Sequence, residues 1–144
     1  LFPLEDVAER YKNTGSSREC LRQGTRKLFL DLKSAGQEVW VYTFSFRTCE
    51  EIKCLFDKYD IKLDGIINYR VHKKRIEAFN EEVKWLKKYP PAFDIDVLID
   101  DLLEIKNDGD RYGFKVILLD EKDTDWVKTI KHNLLSDTNP VRIV

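Results

Sequence analysis

The chain has 144 residues, 42% of them apolar and 35% charged, which suits one globular domain large enough to bury a real core. Its 25 basic and 26 acidic residues leave a net charge of -1, so there is no electrostatic case for a nucleic-acid or membrane partner. No apolar run is long enough to span a bilayer, and the opening residues lack the basic-then-apolar layout of a signal peptide.

In chain order, residues 18–35 read as a helix with Leu21, Thr25, Leu28, Leu32 and Ala35 on one stripe and Gly36 as its stop. EVWVYTF follows as a buried strand. Thr48 caps a second helix running to Tyr59, with Ile52, Leu55, Phe56 and Tyr59 on one face. DGIINY is a short strand. A third helix is expected over 75–88, through Ile76, Phe79, Val83 and Leu86, ended by Pro90 and Pro91. IDVLI is a strand, followed by a helical or looped stretch to Gly113. FKVILL is a strand, 124–134 a helix and 141–144 a last edge strand. The strands at 39–44, 95–99 and 114–119 are nearly continuous apolar runs. Strands of that kind alternating with helices predict an α/β three-layer sandwich around a mostly parallel sheet. Residues 1–144 are expected to form one domain.

Three cysteines, Cys20, Cys49 and Cys54, are an odd number without C-x-x-C spacing. That argues against a disulfide framework or a zinc site and favours a reducing, intracellular setting. A bacterial protein exported to another cell would share this pattern. Trp40, Trp85 and Trp126 are expected in the core or at helix–sheet seams.

Ligands of parallel sheets sit beyond the carboxyl ends of the strands, so the residues there carry the functional reading. Thr43 and Ser45 follow VWVY; His72, Lys73 and Lys74 follow GIINY; Asp100 and Asp101 follow VLI. Paired carboxylates can hold Mg²⁺, while a lysine and a hydroxyl can hold phosphate oxygens. Singly, each has a plainer role: Thr43 as a strand residue capping the next turn, 72–75 as a solvated charge run, Asp100 or Asp101 as a helix cap. Phe44 and Phe46 flank the same position, and at least one of them is expected to pack into the core.

The ordered set resembles the haloacid dehalogenase superfamily of phosphotransferases. LKSAGQEVWVYTFSFR is similar to its second motif, DGIINYRVHKKR to the region of its third, and VLIDD with GFKVILLDEKDTDW to its fourth and the strand after it. The resemblance implies a Rossmann-like fold and a Mg²⁺-dependent phosphatase working through an aspartyl-phosphate. Thr43, Phe44 and Ser45 would bind phosphate with Lys74, Lys73 or Lys74 would neutralise charge, and Asp100 and Asp101 would hold the metal. The third class that shares such residues, the response-regulator receiver, places its acidic pair on the first strand, and here the pair falls past residue 99.

One motif departs from the family. Its nucleophile lies in D-x-D-x-T on the first, central strand, and no such motif occurs here. Asp94-Ile95-Asp96 precedes its strand and lacks the threonine. The opening LFPLEDVAERY is similar to the segment that follows that motif, so a short upstream strand carrying it is expected. The spacings leave no room for a large cap domain. The capless arrangement implies a large phosphorylated substrate such as a phosphoprotein, with phosphotyrosine a candidate, and no nucleic acid or membrane. Read literally, the missing nucleophile gives the alternative: an inactive binding module acting through a protein partner.

Overall fold

The computed structural model describes residues 21–120 and 122–134 and the backbone of 142–143. The elements are α1 (Thr25–Ser34), β1 (Glu38–Tyr42), α2 (Cys49–Asp57), β2 (Gly65–Ile67), α3 (Tyr69–Ile76), β3 (Val97–Asp100), α4 (Leu103–Tyr112), β4 (Lys115–Leu118), α5 (Trp126–Leu134) and β5 (Arg142–Ile143). A short 3₁₀ turn, Pro90–Phe93, leads toward β3. Among the described residues no helix is long and apolar enough to cross a membrane.

All strand pairs are parallel, in the order β2-β1-β5-β3-β4. The pairs β1–β2 and β3–β4 are joined by the two residues of β5. Val39 pairs with Ile143, and so does Val97. The last segment is therefore central, not the edge strand expected from its position in the chain. β5 meets only the amino-terminal ends of its neighbours, at Glu38, Val39 and Val97.

Side chains alternate across the strands and feed two cores. On one face Val39, Val97 and Ile117 pack against Leu28 and Leu32 of α1 and Ile130 and Leu134 of α5. On the other, Tyr42, Leu98 and Val116 pack with Ile67, Ile105 of α4 and Phe114. The sheet is thus covered on both faces, as continuous apolar strands require.

Two helices differ from expectation. α1 starts at Thr25 because Gly24 adopts φ 96, a left-handed conformation that ends helical geometry on its amino side; residues 18–20 lie outside the described set. The third helix covers Tyr69–Ile76, not 75–88. Asn68 starts it by accepting from the Val71 N–H at 2.9 Å. Residues 77–88 are turns with three-residue hydrogen bonds, such as Leu86 N–H to Val83 O at 3.1 Å. The apolar spacing read there is genuine, since Ile76, Val83 and Ala92 form a small third core flanked by Phe79 and Leu86. Turns deliver those side chains instead of a helix, and they leave Trp85 80% exposed instead of buried. Trp40 lies against Gly65, and Trp126 packs on the α1–α5 core.

Gly109 sits inside α4, where alanine ordinarily gains about 1 kcal/mol of helix stability. A Cβ there would lie 2.6 Å from the Phe114 carbonyl oxygen and 2.7 Å from Val116 Cγ2. Backbone cannot yield as a flexible side chain can, so overpacking outweighs propensity. Gly109→Ala should lower stability by about 1–3 kcal/mol in urea unfolding; a raised midpoint would show that β4 can retreat from α4.

Candidate functional site

The loop after β1 is a chain of small turns. Thr43 N–H bonds to Ile67 O at 2.8 Å, and its Oγ1 accepts from Ser45 N–H at 3.2 Å. Ser45 Oγ accepts from Arg47 N–H at 3.1 Å, and Ser45 O from Tyr69 N–H at 3.1 Å. Thr48 closes the loop in a reciprocal cap with Glu51 at the start of α2. The plainer reading of Thr43 thus holds for its acceptor lone pair. Its hydroxyl proton is not used in that bond.

At the end of β3, Asp100 is buried, and its two oxygens have separate partners. Oδ1 accepts from Leu102 N–H at 3.0 Å, and Oδ2 is 2.6 Å from Lys88 Nζ. The side chains in this ion pair keep only 14% (Lys88) and 4% (Asp100) of their exposure. The same ammonium stands 5.9 Å from the centre of the Tyr42 ring at the end of β1. Lys88 therefore reaches across the carboxyl end of the sheet, from β1 toward β3. Beside it opens a cleft of about 310 Å³ lined by Arg22, Lys88, Ile99, Asp100, Asp101, Leu119 and Asp120. A second hollow of about 380 Å³ shares Asp101, Leu119 and Asp120 and adds Leu103, Leu118 and Lys122.

The backbone on either side of Lys88 is pinned from beneath. His72, 1% exposed, has Nε2 2.9 Å from Leu86 O. A carbonyl can only accept, so Nε2 carries the proton and Nδ1 is left to accept from the Tyr42 hydroxyl, with which it is in hydrogen-bond contact. The Tyr42 oxygen accepts in turn from Tyr89 N–H at 2.9 Å. Residues 86 and 89 are thus both tied to one buried imidazole–phenol pair. Burial raises the Tyr42 hydroxyl well above the usual phenol range. Burial also depresses His72, with the Lys73 charge adding to the effect and the bond to Leu86 opposing it.

The structure brings some expected residues together and not others. Asp100 and Asp101 share the cleft, Asp100 as the last residue of β3 itself. Thr43, Phe44 and Ser45 follow β1 on the same edge but do not line the cleft. Lys73 and Lys74 are not at a strand end, because β2 stops at Ile67 and both residues ride on α3. Lys73 lies over the Tyr69 and Trp85 rings, at 5.7 and 5.8 Å, and Lys74 lines a different hollow with Val71, Arg75, Ala78 and Phe93. The ammonium at the Asp100 carboxylate belongs to Lys88, which sequence reasoning missed. A cue was available in LKKYPPAF, where the basic pair stands one residue before a turn-forming Pro-Pro that leads toward the carboxylate strand. Phe44 and Phe46 are 43% and 69% exposed, so neither is a core residue. Cys49 and Cys54 are free thiols, Cys54 exposed, so packing does not account for Cys54; Cys20 lies outside the described residues.

Among the described residues no three His, Cys, Asp or Glu side chains are grouped to hold a metal. Mg²⁺ needs fewer protein ligands than that, since it keeps several waters and often uses one or two carboxylates plus phosphate. The donor chemistry fits this mode. The cleft lining carries three carboxylates, Asp100, Asp101 and Asp120, against two cations, Arg22 and Lys88, leaving a net formal charge of -1. A phosphate dianion entering such a lining needs an additional cation. Asp101 is exposed and lines both hollows. Asp94 and Asp96 lie before β3, at the opposite end of the strand from the cleft. Comparison of the chain with protein-family models, curated proteins and solved structures gave no match.

The depressed His72 has a signed consequence. The unfolded chain takes up a proton near pH 6.5 and the folded chain only at lower pH, so this contribution is complete above about 6.5 and is lost as pH falls toward the folded value. Urea unfolding should show stability declining below pH 6.5, by up to about 1.4 kcal/mol per pH unit from this group. His72→Gln, which cannot titrate, should flatten that part of the slope. An unchanged slope would place the titration elsewhere.

Proposed function

We propose that this chain is a Mg²⁺-dependent phosphatase of the haloacid dehalogenase type, acting on a large phosphorylated substrate. The observation that carries the reading is Lys88. Its ammonium bridges the ends of β1 and β3 and is paired with Asp100 at 2.6 Å, beside a cleft rich in carboxylates. In this reading the neutralising lysine is Lys88, in place of Lys73 or Lys74. The fold it requires is Rossmann-like, and the parallel order with helices on both faces supports that finer description.

Lys88 holds the phosphoryl oxygens and orients the Asp100 carboxylate. Thr43 offers its hydroxyl proton from the neighbouring strand end. Asp101, with Asp100, would hold the metal, which when bound adds the positive charge that lets a dianion enter. The attacking aspartate would be the one on the D-x-D-x-T strand that the resemblance implies. Residues 43–88 fold into α2, β2, α3 and turns with no inserted domain, which suits a macromolecular substrate. Phosphotyrosine remains the candidate ester.

In a protein that carries the D-x-D-x-T strand, phosphate release from phosphopeptides should require Mg²⁺. Lys88→Met should lower kcat/KM by about 10²–10³, whereas Lys73→Met should have a much smaller effect on a small aryl phosphate. Calorimetric titration with Mg²⁺ alone should show weaker binding to Asp101→Asn. Full turnover in a folded Lys88→Met protein would sink the assignment. If that strand is present and the folded protein binds a phosphopeptide but releases no phosphate, the chain would instead be a binding module.

A further inference from the structure

Around the start of α3 the chain exposes aromatic side chains in one continuous group. Phe44 and Phe46 both lie against Tyr69, with ring centroids 5.0 and 4.6 Å away. Lys73 stands over Tyr69 and also over Trp85. Phe44, Phe46 and Trp85 are 43%, 69% and 80% exposed, the two phenylalanines against Tyr69 and the tryptophan joined to Tyr69 through Lys73. Scattered exposed apolar residues need no explanation, but a contiguous patch with a polar rim marks an interaction surface.

The rim is positively charged. α3 has the sequence YRVHKKRI, with no acidic residue. Arg70 and Lys74 are exposed beside Lys73, and among the described residues no carboxylate forms an ion pair with any of the three. Overall the protein is nearly neutral, so this local excess is a feature of the face and not of the composition. At the Trp85 end the same surface changes sign, with Glu81 and Glu82 exposed in the adjoining turns. A uniform phosphate backbone would be repelled there, whereas a polypeptide can vary its charge along its length.

The patch also adjoins the candidate site. Phe44 follows Thr43 directly, and Tyr69 N–H is bonded to Ser45 O at 3.1 Å. We propose that this face docks an acidic polypeptide segment bearing aromatic or aliphatic side chains, the segment that flanks the phosphoryl group in the substrate. Calling that segment substrate rests on the phosphatase reading; the docking itself does not.

The test is binding of a fluorescently labelled random Glu–Tyr copolymer, followed by anisotropy, with a Lys–Tyr copolymer and an oligothymidylate as comparisons. The Glu–Tyr copolymer should bind best. Phe46→Ala and Trp85→Ala, on opposite flanks of the patch, should each weaken it about tenfold with unchanged circular dichroism. Their turnover of a small aryl phosphate should stay as in the parent chain. No binding, or binding that both variants retain in full, overturns the proposal. Tighter binding of oligothymidylate also overturns it and assigns the face to nucleic acid. Weakened binding without phosphate-ester turnover, in a protein that carries the D-x-D-x-T strand, would support the docking surface while removing the phosphatase reading.

Discussion

The ion pair between Lys88 and Asp100 is the constraint on which the carboxyl edge of the sheet depends. Withdrawing an ammonium and a carboxylate from water costs several kcal/mol each, and their attraction offsets this only if both are held in good geometry. Asp100 is held by its place in β3 and by the Leu102 amide. Lys88 lies in a turn, where nothing in the local chain fixes it. The structure solves this from below: Leu86 O and Tyr89 N–H, on either side of Lys88, are both bonded to the Tyr42–His72 pair. A buried polar network of this kind is favourable only when every member is satisfied, and here the imidazole tautomer is dictated by the carbonyl it faces.

That arrangement explains the form of the segment between α3 and β3. A straight helix over 75–88 would present Phe79, Val83 and Leu86 on one stripe, but it would carry its own backbone groups in internal bonds. The Tyr89 amide would be drawn to Trp85 O, and the Leu86 carbonyl, though free in the last turn, would be held along the helix axis. Turns release those groups and still deliver the apolar side chains to a small core with Ile76 and Ala92. Pro90 and Pro91 then redirect the chain into β3 through a 3₁₀ turn.

The sheet has a related asymmetry. Five parallel strands imply a continuous ladder, and the two described residues of β5 pair where β1 and β3 begin. Among the described residues, the edge at which parallel sheets gather ligands is spanned by a side chain, Lys88. Chemistry at that edge depends on the carboxylates of β3 and its following turn, on the hydroxyl after β1, and on whatever backbone lies between.

Much of this was legible in the sequence because it is set locally. Continuous apolar strands, the Thr48 cap and the Asp100–Asp101 pair follow from period, cap chemistry and composition, and each is found where those rules put it. Misplaced features required information that sequence spacing does not hold. Periodicity at Ile76, Phe79, Val83 and Leu86 reports that these side chains are buried, not which backbone carries them. Trp85, Phe44 and Phe46 look like core residues by type, and only the three-dimensional packing shows them grouped on the surface. Lys73 and Lys74 drew attention by proximity to a strand in sequence, whereas Lys88, twelve residues before Asp100, reaches it through space. Sequence alone determined the class of fold and one half of the ion pair, since these rest on hydrophobic pattern and residue chemistry. Tertiary structure decided the other half, because which ammonium meets a buried carboxylate depends on how the intervening turns fold.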